Sequence, residues 1–264
     1  MIKKVIQESR KIVIKIGSNT IAKPDGTINP EMMRELASQC ADLIRSGKQV
    51  VLVSSGAQVA GVSAIDRWAR KKDIHYRQAL CAIGQVELMD HWRAAFAAFN
   101  LHIGQLLLTK DDFMDDHRTL NMRNTIFTLV DEGVVPIINE NDSVSTDEIK
   151  IGDNDNLSAL TAVLWSADLL ILVSDIDGVY DKNPKEHADA RLIEEVADIA
   201  ALRAGISIGS TNSFGTGGIA TKLEAAERAT QYGIPMLLAN GSRPRFLEAL
   251  AAGTQQGTIF LARG

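Results

Sequence analysis

Short apolar segments alternate with helical apolar stripes along the whole chain. After the first such segment, KIVIKI at 11–16, further strands are predicted at 49–53, 101–108, 134–138, 168–173, 234–239 and 258–262. Apolar residues at helical spacing lie between them, as at Met33, Leu36, Cys40 and Leu43. Strands that alternate with helices form a mostly parallel sheet with helices on its faces. The expected fold class is therefore α/β: a three-layer αβα sandwich around an open, mostly parallel sheet.

The length of 264 residues suits one large α/β domain or two closely packed lobes. Near residue 166 the composition shifts from an amide-rich stretch to a new run of strand and helix patterns. We therefore expect a single domain, 1–264, that is made of a lobe at 1–165 and a lobe at 166–264.

Bulk composition excludes several classes of protein. The net charge of −5 argues against a nucleic-acid partner, and no apolar run approaches the roughly 20 residues that cross a bilayer. The start, MIKKVIQESR, lacks the apolar core of a secretory signal. Cys40 and Cys81 sit inside apolar helical patterns, which favours reduced core thiols over a disulfide or a metal site. A cytoplasmic protein without a nucleic-acid or membrane partner is expected.

The densest polar chemistry lies at 137–160, between the strand at 134–138 and a helix that carries Leu157, Leu160 and Leu164. Its polar residues are Asn139, Glu140, Asn141, Asp142, Asp147, Glu148, Asp153, Asn154, Asp155 and Asn156. A solvated loop with a capping residue is one interpretation, since these residue types dominate turns. The apolar alternation of Ile149 and Ile151 and the position between strand and helix favour a site for a small polar ligand.

Lys15 lies within the first strand, next to Gly17. On a solvent-facing strand such a lysine would be unremarkable. In a sheet that helices cover on both faces it needs an anion nearby, and the glycine lets a ligand approach the backbone. From the pattern alone both interpretations stay open.

Two glycine-containing or serine-containing segments have the layout of a phosphate cradle, in which backbone N–H groups converge at a helix start. One is Ser54-Ser55-Gly56-Ala57 after the second strand, for which a tight turn with serine caps is the alternative. The other is the glycine run at 205–218, which leads into the helix at Ile219; it is not a Walker A sequence. The acidic pairs at 111–112 and 115–116 indicate a loop and a helix cap, not metal ligands.

Three segments resemble one family. NENDSV followed by EIKIGDNDNLSAL resembles the acid-binding segment of the glutamate 5-kinases, a branch of the amino acid kinase family. GTGGIATK is similar to that family's nucleotide-binding signature, and Ser54-Ser55-Gly56 to its (T/S)SG segment, with Ser54 where many relatives have threonine. The resemblance runs nearly end to end over the catalytic domain and stops before a C-terminal module, similar to an RNA-binding fold, that many members carry. It implies the amino acid kinase fold, with lobe 1–165 on the glutamate side and lobe 166–264 on the nucleotide side.

The resemblance also implies a reaction: ATP, with Mg²⁺ on its phosphates, phosphorylates the γ-carboxylate of L-glutamate, the first step of proline biosynthesis. Since a carboxylate is already ionised at neutral pH, no general base is required. The implied catalytic residues are Lys15, Lys222 and Asp155, with Asp155 orienting the two lysines. The implied substrate-binding residues are Ser55, Asp142, Asp153 and Asn154. The implied ATP-binding residues are Lys15, Gly17, Ser174, Asp175, Thr216, Gly217, Gly218, Ile219, Ala220, Thr221 and Lys222. No side chain is expected to hold a metal.

The charged groups of glutamate indicate which substrate-binding residue contacts which group. Asp142 suits the ammonium of glutamate, whereas Asn154 and the amides around Ser55 suit its carboxylates. Kinases of N-acetylglutamate, aspartate, carbamate or UMP are alternatives within the family, and a non-catalytic amino-acid or nucleotide sensor is the alternative outside it. An acetylated amine would leave Asp142 without a cation, and 137–160 contains no aromatic residue to stack on a uracil base. By analogy the chain is expected to be a homo-oligomer. Proline inhibits many family members, but the sequence does not establish whether it inhibits this chain.

Overall fold

The computed structural model describes residues 1–65, 70, 72–146, 154–184, 186–205 and 218–262. Three of the predicted site residues, Asp153, Thr216 and Gly217, lie outside the described residues, as do Ile149 and Ile151. The strands are β1 Lys11–Ile16, β2 Gln49–Ser54, β3 Ile103–Leu108, β4 Val135–Glu140, β5 Leu169–Ser174, β6 Val179–Tyr180, β7 Leu192–Ile193, β8 Glu195–Val196, β9 Met236–Asn240 and β10 Thr258–Phe260. The helices are α1 Ile2–Glu8, α2 Pro30–Arg45, α3 Ala57–Ile65, α4 Ile74–Ala97, α5 Asp116–Asp131, α6 Asn154–Trp165, α7 Ile199–Gly205, α8 Ile219–Gln231 and α9 Phe246–Ala252.

Eight of these strands form one sheet in the order β3-β4-β2-β1-β5-β9-β10-β8. Neighbouring strands are parallel except β9 and β10, and β6 and β7 form a separate antiparallel pair. The predicted α/β class with a mostly parallel sheet is confirmed. The sheet is continuous through both of the predicted lobes, because β1 pairs with β2 on one side and with β5 on the other.

Side chains alternate between the two faces of β1 and so divide the apolar core in two. Ile12, Ile14 and Ile16 pack in the cluster that α1, α2, α4 and α9 cover, whereas Val13 packs in the cluster under α5, α6 and α8. Lys15 is two residues beyond Val13 and therefore lies on the face that α6 and α8 cover.

Polar side chains cap several of the helix starts. Asn29 caps α2 by accepting a hydrogen bond from the N–H of Met32, with proline in the first turn. Asp115 caps α5 in the same way, and Asp112 completes a capping box with Thr109. The acidic pairs at 111–112 and 115–116 thus lie at helix starts, as expected.

The apolar residues at 192–202 have helical spacing, which predicts a helix over this stretch, and that prediction is wrong for its first half. Leu192–Ile193 pairs with β6, and Glu195–Val196 pairs with β10 at the edge of the sheet, so that only α7 is helical. The pairing of these residues with distant strands outweighs their helical spacing. The helix after the polar segment also begins earlier than its apolar stripe indicates: Asn154 and Asp155 already belong to α6.

Cys40 and Cys81 are both buried in the core, as their apolar helical patterns predict. Burial raises the pKa of Cys40 to about 12. Among the described helices, none combines the length and the apolar character that crossing a membrane requires.

Candidate active site

The carboxyl end of β1 is the point where the order of the sheet reverses, because the chain places β2 on one side and β5 on the other. In open α/β sheets a crevice forms at such a point, outside the carboxyl ends of the strands. Backbone hydrogen bonds hold the three strand ends together: the N–H of Ser55 donates to the Ile16 carbonyl (3.0 Å), and the N–H of Gly17 donates to that of Val173 (3.4 Å).

Lys15 and Lys222 converge on one carboxylate at this edge. Lys15 Nζ lies 2.6 Å from Asp155 Oδ1, and Lys222 Nζ lies 3.2 Å from Asp155 Oδ2. The hydroxyl of Thr221 also donates to Asp155 Oδ2, at 3.0 Å. Asp155 is 1% exposed and the two lysines 8% and 9%, so the whole cluster is buried. Two ammonium groups and one carboxylate give the cluster a net charge of +1.

The helices explain why these residues meet. Asp155 lies in the first turn of α6, whereas Thr221 and Lys222 lie in the first turn of α8. Both helices pack on the face of β1 that carries Lys15. Because a helix N-terminus is positively polarised, the start of α6 further stabilises the carboxylate of Asp155.

Electrostatics hold Asp155 in its charged form. Burial on its own would raise the pKa of this carboxyl group, but the charges of Lys15 and Lys222 and the hydrogen bonds from Lys15 and Thr221 lower it below its ordinary value. Asp155 therefore keeps its negative charge at neutral pH.

A chain of side-chain hydrogen bonds borders the cluster on the β2–β4 side. Asn154 Nδ2 donates to Ser55 Oγ (2.8 Å) and to Asn139 Oδ1 (2.9 Å), and Asn139 Nδ2 donates to Gln85 Oε1 (2.8 Å). The backbone N–H of Glu140 also donates to Asn139 Oδ1, which orients the Asn139 amide and hence that of Asn154. Asn154, which the sequence assigns to substrate carboxylates, here donates to Ser55 and Asn139, and its role toward the substrate stays a prediction.

A second chain fixes the peptide that follows β2. The indole N–H of Trp92 donates to Ser54 Oγ (2.9 Å), and the Ser54 hydroxyl donates to the Ser55 carbonyl (3.0 Å). The next residue, Gly56, has φ of +112°, and a Cβ there would lie 2.5 Å from Ile21 Cδ1. Only glycine suits this turn into α3.

Other predicted site residues surround these two chains. Asp142 is buried just beyond β4, where Gln78 Nε2 of α4 donates to its backbone carbonyl at 2.9 Å. On the β5 side, Asp175 accepts hydrogen bonds from Ser174 Oγ and Asn19 Nδ2, both at 3.2 Å. Gly218 caps α8, followed by Ile219 and Ala220 in its first turn.

Sequence reasoning did not single out Asn139, Gln85, Trp92 or Asn19 as part of the site. Asn139 was visible only as one member of the polar stretch, whereas Gln85 and Trp92 lie in a helix whose pattern indicates packing. Their sequence separation from Ser54 and Asn139 leaves no local signal, so only the tertiary fold reveals them.

Comparison with known proteins defines the class. The family model described as "Amino acid kinase family" matches residues 10–240. Since that match spans well over half of the chain, the chain belongs to the amino acid kinase family.

Relatives place it within one branch of that family. It is 61% identical to "Glutamate 5-kinase" of Alkaliphilus metalliredigens, over 99% of each chain, and 47% identical to that of Treponema pallidum, also over 99% of each. A third relative of the same name, from Methanococcoides burtonii, is 45% identical over 98% of this chain and 70% of its own length. The branch to which the chain belongs is therefore that of the glutamate 5-kinases.

Solved structures agree with the fold. Carbamate kinase from Giardia lamblia superposes with a TM-score of 0.66 at 17% identity, over 96% of this chain and 99% of its own. UMP kinase from Bacillus anthracis gives 0.64 at 14% identity, over 97% of both chains. At these identities the likeness concerns the fold alone, and it confirms the expected amino acid kinase fold.

Proposed function

We propose that this protein transfers the γ-phosphoryl group of ATP to the γ-carboxylate of L-glutamate, the first step of proline biosynthesis. One oxygen of the γ-carboxylate attacks the γ-phosphorus and forms a new P–O bond. The bond between that phosphorus and the β–γ bridging oxygen breaks, and the electron pair leaves with ADP. The products are L-glutamyl 5-phosphate and ADP.

The observation that carries the proposal is the pair of lysines that meet on Asp155. An ionised carboxylate needs no base, so the barrier comes mainly from the approach of one anion to another. Catalysis then depends on in-line positioning and on positive charge around the phosphoryl group. Lys15 and Lys222, from the two halves of the chain, provide that charge, and Asp155 sets their direction.

The described residues suit a metal that arrives with the nucleotide. Among them, no three histidine, cysteine or acidic side chains form a group that could hold a metal ion, and the carboxylate of Asp155 is already engaged by two lysines. Mg²⁺ in this proposal neutralises charge on the phosphates of ATP. The protein's own part is to hold lysines and backbone N–H groups around them.

On the substrate side, the buried carboxylate of Asp142 is proposed to meet the α-ammonium of glutamate. Ser55 and Asn154, which contact each other, are proposed to shape the pocket next to it. Asp153 is proposed to lie on the same side. Ser174 and Asp175 at the end of β5, Gly17 after β1, and the start of α8 with 216–217 before it are proposed for the nucleotide. The two lobes, 1–165 and 166–264, then correspond to the two substrates.

The test is a hydroxylamine trap for the acyl phosphate, in which the hydroxamate is measured with ATP and a panel of L-glutamate, N-acetyl-L-glutamate and L-aspartate. We expect hydroxamate with L-glutamate and background levels with the other two. Product with N-acetyl-L-glutamate would contradict the role of Asp142 in binding an ammonium group. Nucleotide binding without hydroxamate from any of the three would identify a sensor instead of an enzyme.

We also propose that the enzyme is cytoplasmic, that it forms a homo-oligomer and that proline inhibits it. Light scattering gives the assembly state, and the same hydroxamate assay with added L-proline tests the inhibition. A monomer would contradict the proposed homo-oligomer, and turnover that is unchanged by millimolar proline would contradict the proposed inhibition.

A further inference from the structure

Thr20 carries a buried hydroxyl that the site described so far does not use. It lies in the 3-10 turn Ser18–Ile21 that follows β1 and is 8% exposed. Its Oγ1 is buried and has no hydrogen-bond partner among the described residues. Because an unsatisfied buried hydroxyl destabilises a fold, such an atom requires an explanation.

Packing decides which way this side chain points. A Cβ built on Gly241 would lie 3.2 Å from Thr20 Cγ2 and 2.1 Å from Val173 Cγ1, so the methyl group of Thr20 packs toward the backbone that follows β9. A threonine with its methyl group held in this way has its hydroxyl in a set direction as well, since both are attached to Cβ.

The hydroxyl is directed to the same space as Lys15. A Cβ built on Gly17 would lie 3.6 Å from the Val173 carbonyl oxygen, which already accepts from the N–H of Gly17, 3.8 Å from Lys15 Nζ and 4.0 Å from Thr20 Oγ1. The space that a side chain at residue 17 would occupy is thus bordered by a hydroxyl and by an ammonium group. Both are hydrogen-bond donors, a combination that suits an anionic oxygen.

This space lies at the junction of the two halves of the site. The backbone of β1 at this end is bonded to Ser55 on the β2 side and to Val173 on the β5 side. In the proposed function the glutamate lies at the end of β2 and the nucleotide at the end of β5. The phosphoryl group that is transferred between them would then lie next to Gly17.

We propose that Thr20 is a further catalytic residue, whose hydroxyl donates a hydrogen bond to an oxygen of the phosphoryl group in transit, beside Lys15 and above Gly17. The inference rests on the proposed phosphoryl transfer. Thr20 itself forms and breaks no covalent bond. Its hydroxyl finds its partner only when the substrates are bound, which accounts for its unsatisfied state in the free protein.

The experiment compares Thr20→Val, which removes the hydroxyl at nearly constant shape, with Thr20→Ser, which keeps it. A hydrogen bond to a charged group corresponds to about a tenfold to hundredfold change in rate. We expect kcat in the hydroxamate assay to fall by that factor in Thr20→Val, with KM for glutamate changed less than about threefold. Thr20→Ser should stay within about threefold of the unmodified protein.

The melting temperature separates this role from a structural one. Thr20→Val removes an unsatisfied polar atom, so its melting temperature should equal or exceed that of the unmodified protein. The matched control is Thr258→Val, at a fully buried threonine whose hydroxyl donates to the Ile193 carbonyl and accepts from the N–H of Val179. We expect Thr258→Val to have a lower melting temperature than the unmodified protein and an unchanged kcat.

Three outcomes would overturn the inference. Turnover of Thr20→Val within about twofold of the unmodified protein shows that the hydroxyl is not used. A fall in melting temperature of Thr20→Val comparable to that of Thr258→Val, together with lost activity in Thr20→Ser, shows a structural role. If the unmodified protein forms no hydroxamate with any acceptor, the proposed function itself is contradicted, and this inference fails with it.

Discussion

Lys11 and Lys15 lie on the same face of β1, at its two ends, and helix α6 runs over both. The N-terminal turn of α6 places Asp155 at Lys15, and its C-terminal residue, Trp165, lies at Lys11. One strand and one helix therefore provide two lysines, Lys11 half-buried and Lys15 buried, whose ammonium groups have different partners.

Lys11 has neutral partners. Its Nζ donates to the Trp165 carbonyl at 2.9 Å and lies 4.5 Å from the centre of the Phe127 ring. The ammonium group thus caps the C-terminal end of α6, where the helix dipole is negative, and packs on an aromatic face. Burial, partly opposed by the charge of Asp168, lowers the pKa of Lys11 below its ordinary value.

Lys15 has a charged partner that it shares with Lys222. A carboxylate between two lysines neutralises one of them, so the cluster keeps one positive charge at the edge where ligands bind in such sheets. The comparison teaches that burial of a lysine is not evidence of function by itself. What distinguishes Lys15 is the second lysine, brought from 207 residues further along the chain to the same carboxylate.

The largest effect is expected when the shared partner is removed. Asp155→Asn keeps the shape and the hydrogen bond from Thr221 but removes the buried carboxylate that Lys15 and Lys222 share. Breaking a buried ion pair in this way costs about 3–5 kcal/mol, so the free energy of unfolding from urea titration should fall by about that amount. Turnover should fall as well, because the lysines lose their orientation.

The control for this change is Asp42→Asn, whose carboxylate is half exposed and pairs with Arg45 and Arg245 on the surface. Exposed pairs contribute about 0–1 kcal/mol. Equal losses of stability in the two variants would show that Asp155 does not depend on its buried partners.

Removing one lysine should affect catalysis more than folding. In Lys222→Met we expect turnover to fall on the order of a hundredfold, as when other charge-stabilising groups are lost. Asp155 keeps Lys15 as its partner, so the protein should remain folded by circular dichroism. Lys4→Met, at an exposed lysine of α1, is the control with unchanged turnover. Near-normal turnover of Lys222→Met would contradict the proposed mechanism.

The sequence predicts much of this arrangement, but not all of it. Lys15, Asp155 and Lys222 each lie near a strand end or a helix start, and the resemblance of their segments to the glutamate 5-kinases implied their catalytic roles, whereas the pattern alone left the role of Lys15 open. Asn139 and Gln85 form part of the same network through contacts across the sheet, which no periodicity encodes. The strands at 192–196 were missed for the same reason: their hydrogen-bond partners, β6 and β10, are set by the tertiary fold.

Lys11→Met tests the other half of the comparison. The variant loses the hydrogen bond to Trp165 and the interaction with Phe127, whereas its apolar side chain keeps most of the packing. We expect the free energy of unfolding to fall by about 1 kcal/mol, a typical net value for one hydrogen bond. Turnover in the hydroxamate assay should stay within about twofold. Activity lost at unchanged stability would mean that both ends of β1 serve the reaction.

The smallest effect concerns the response to acid. Because the pKa of Asp155 is lower in the folded than in the unfolded protein, the folded state is stabilised by the ionised carboxylate. This contribution is fully present above the unfolded-state value of 3.8 and is lost as the pH falls through the folded-state pKa. The difference in unfolding free energy between the unmodified protein and Asp155→Asn should therefore be constant near neutral pH and shrink below pH 4. Urea titrations at a series of pH values measure it. A difference that stays constant down to pH 3 would show that the lysines do not hold Asp155 in its charged form. Lys11 affects the pH dependence in the alkaline range. Because its pKa is lower in the folded than in the unfolded protein, the free energy of unfolding should increase as the pH rises toward 10.5. This increase should be absent in Lys11→Met.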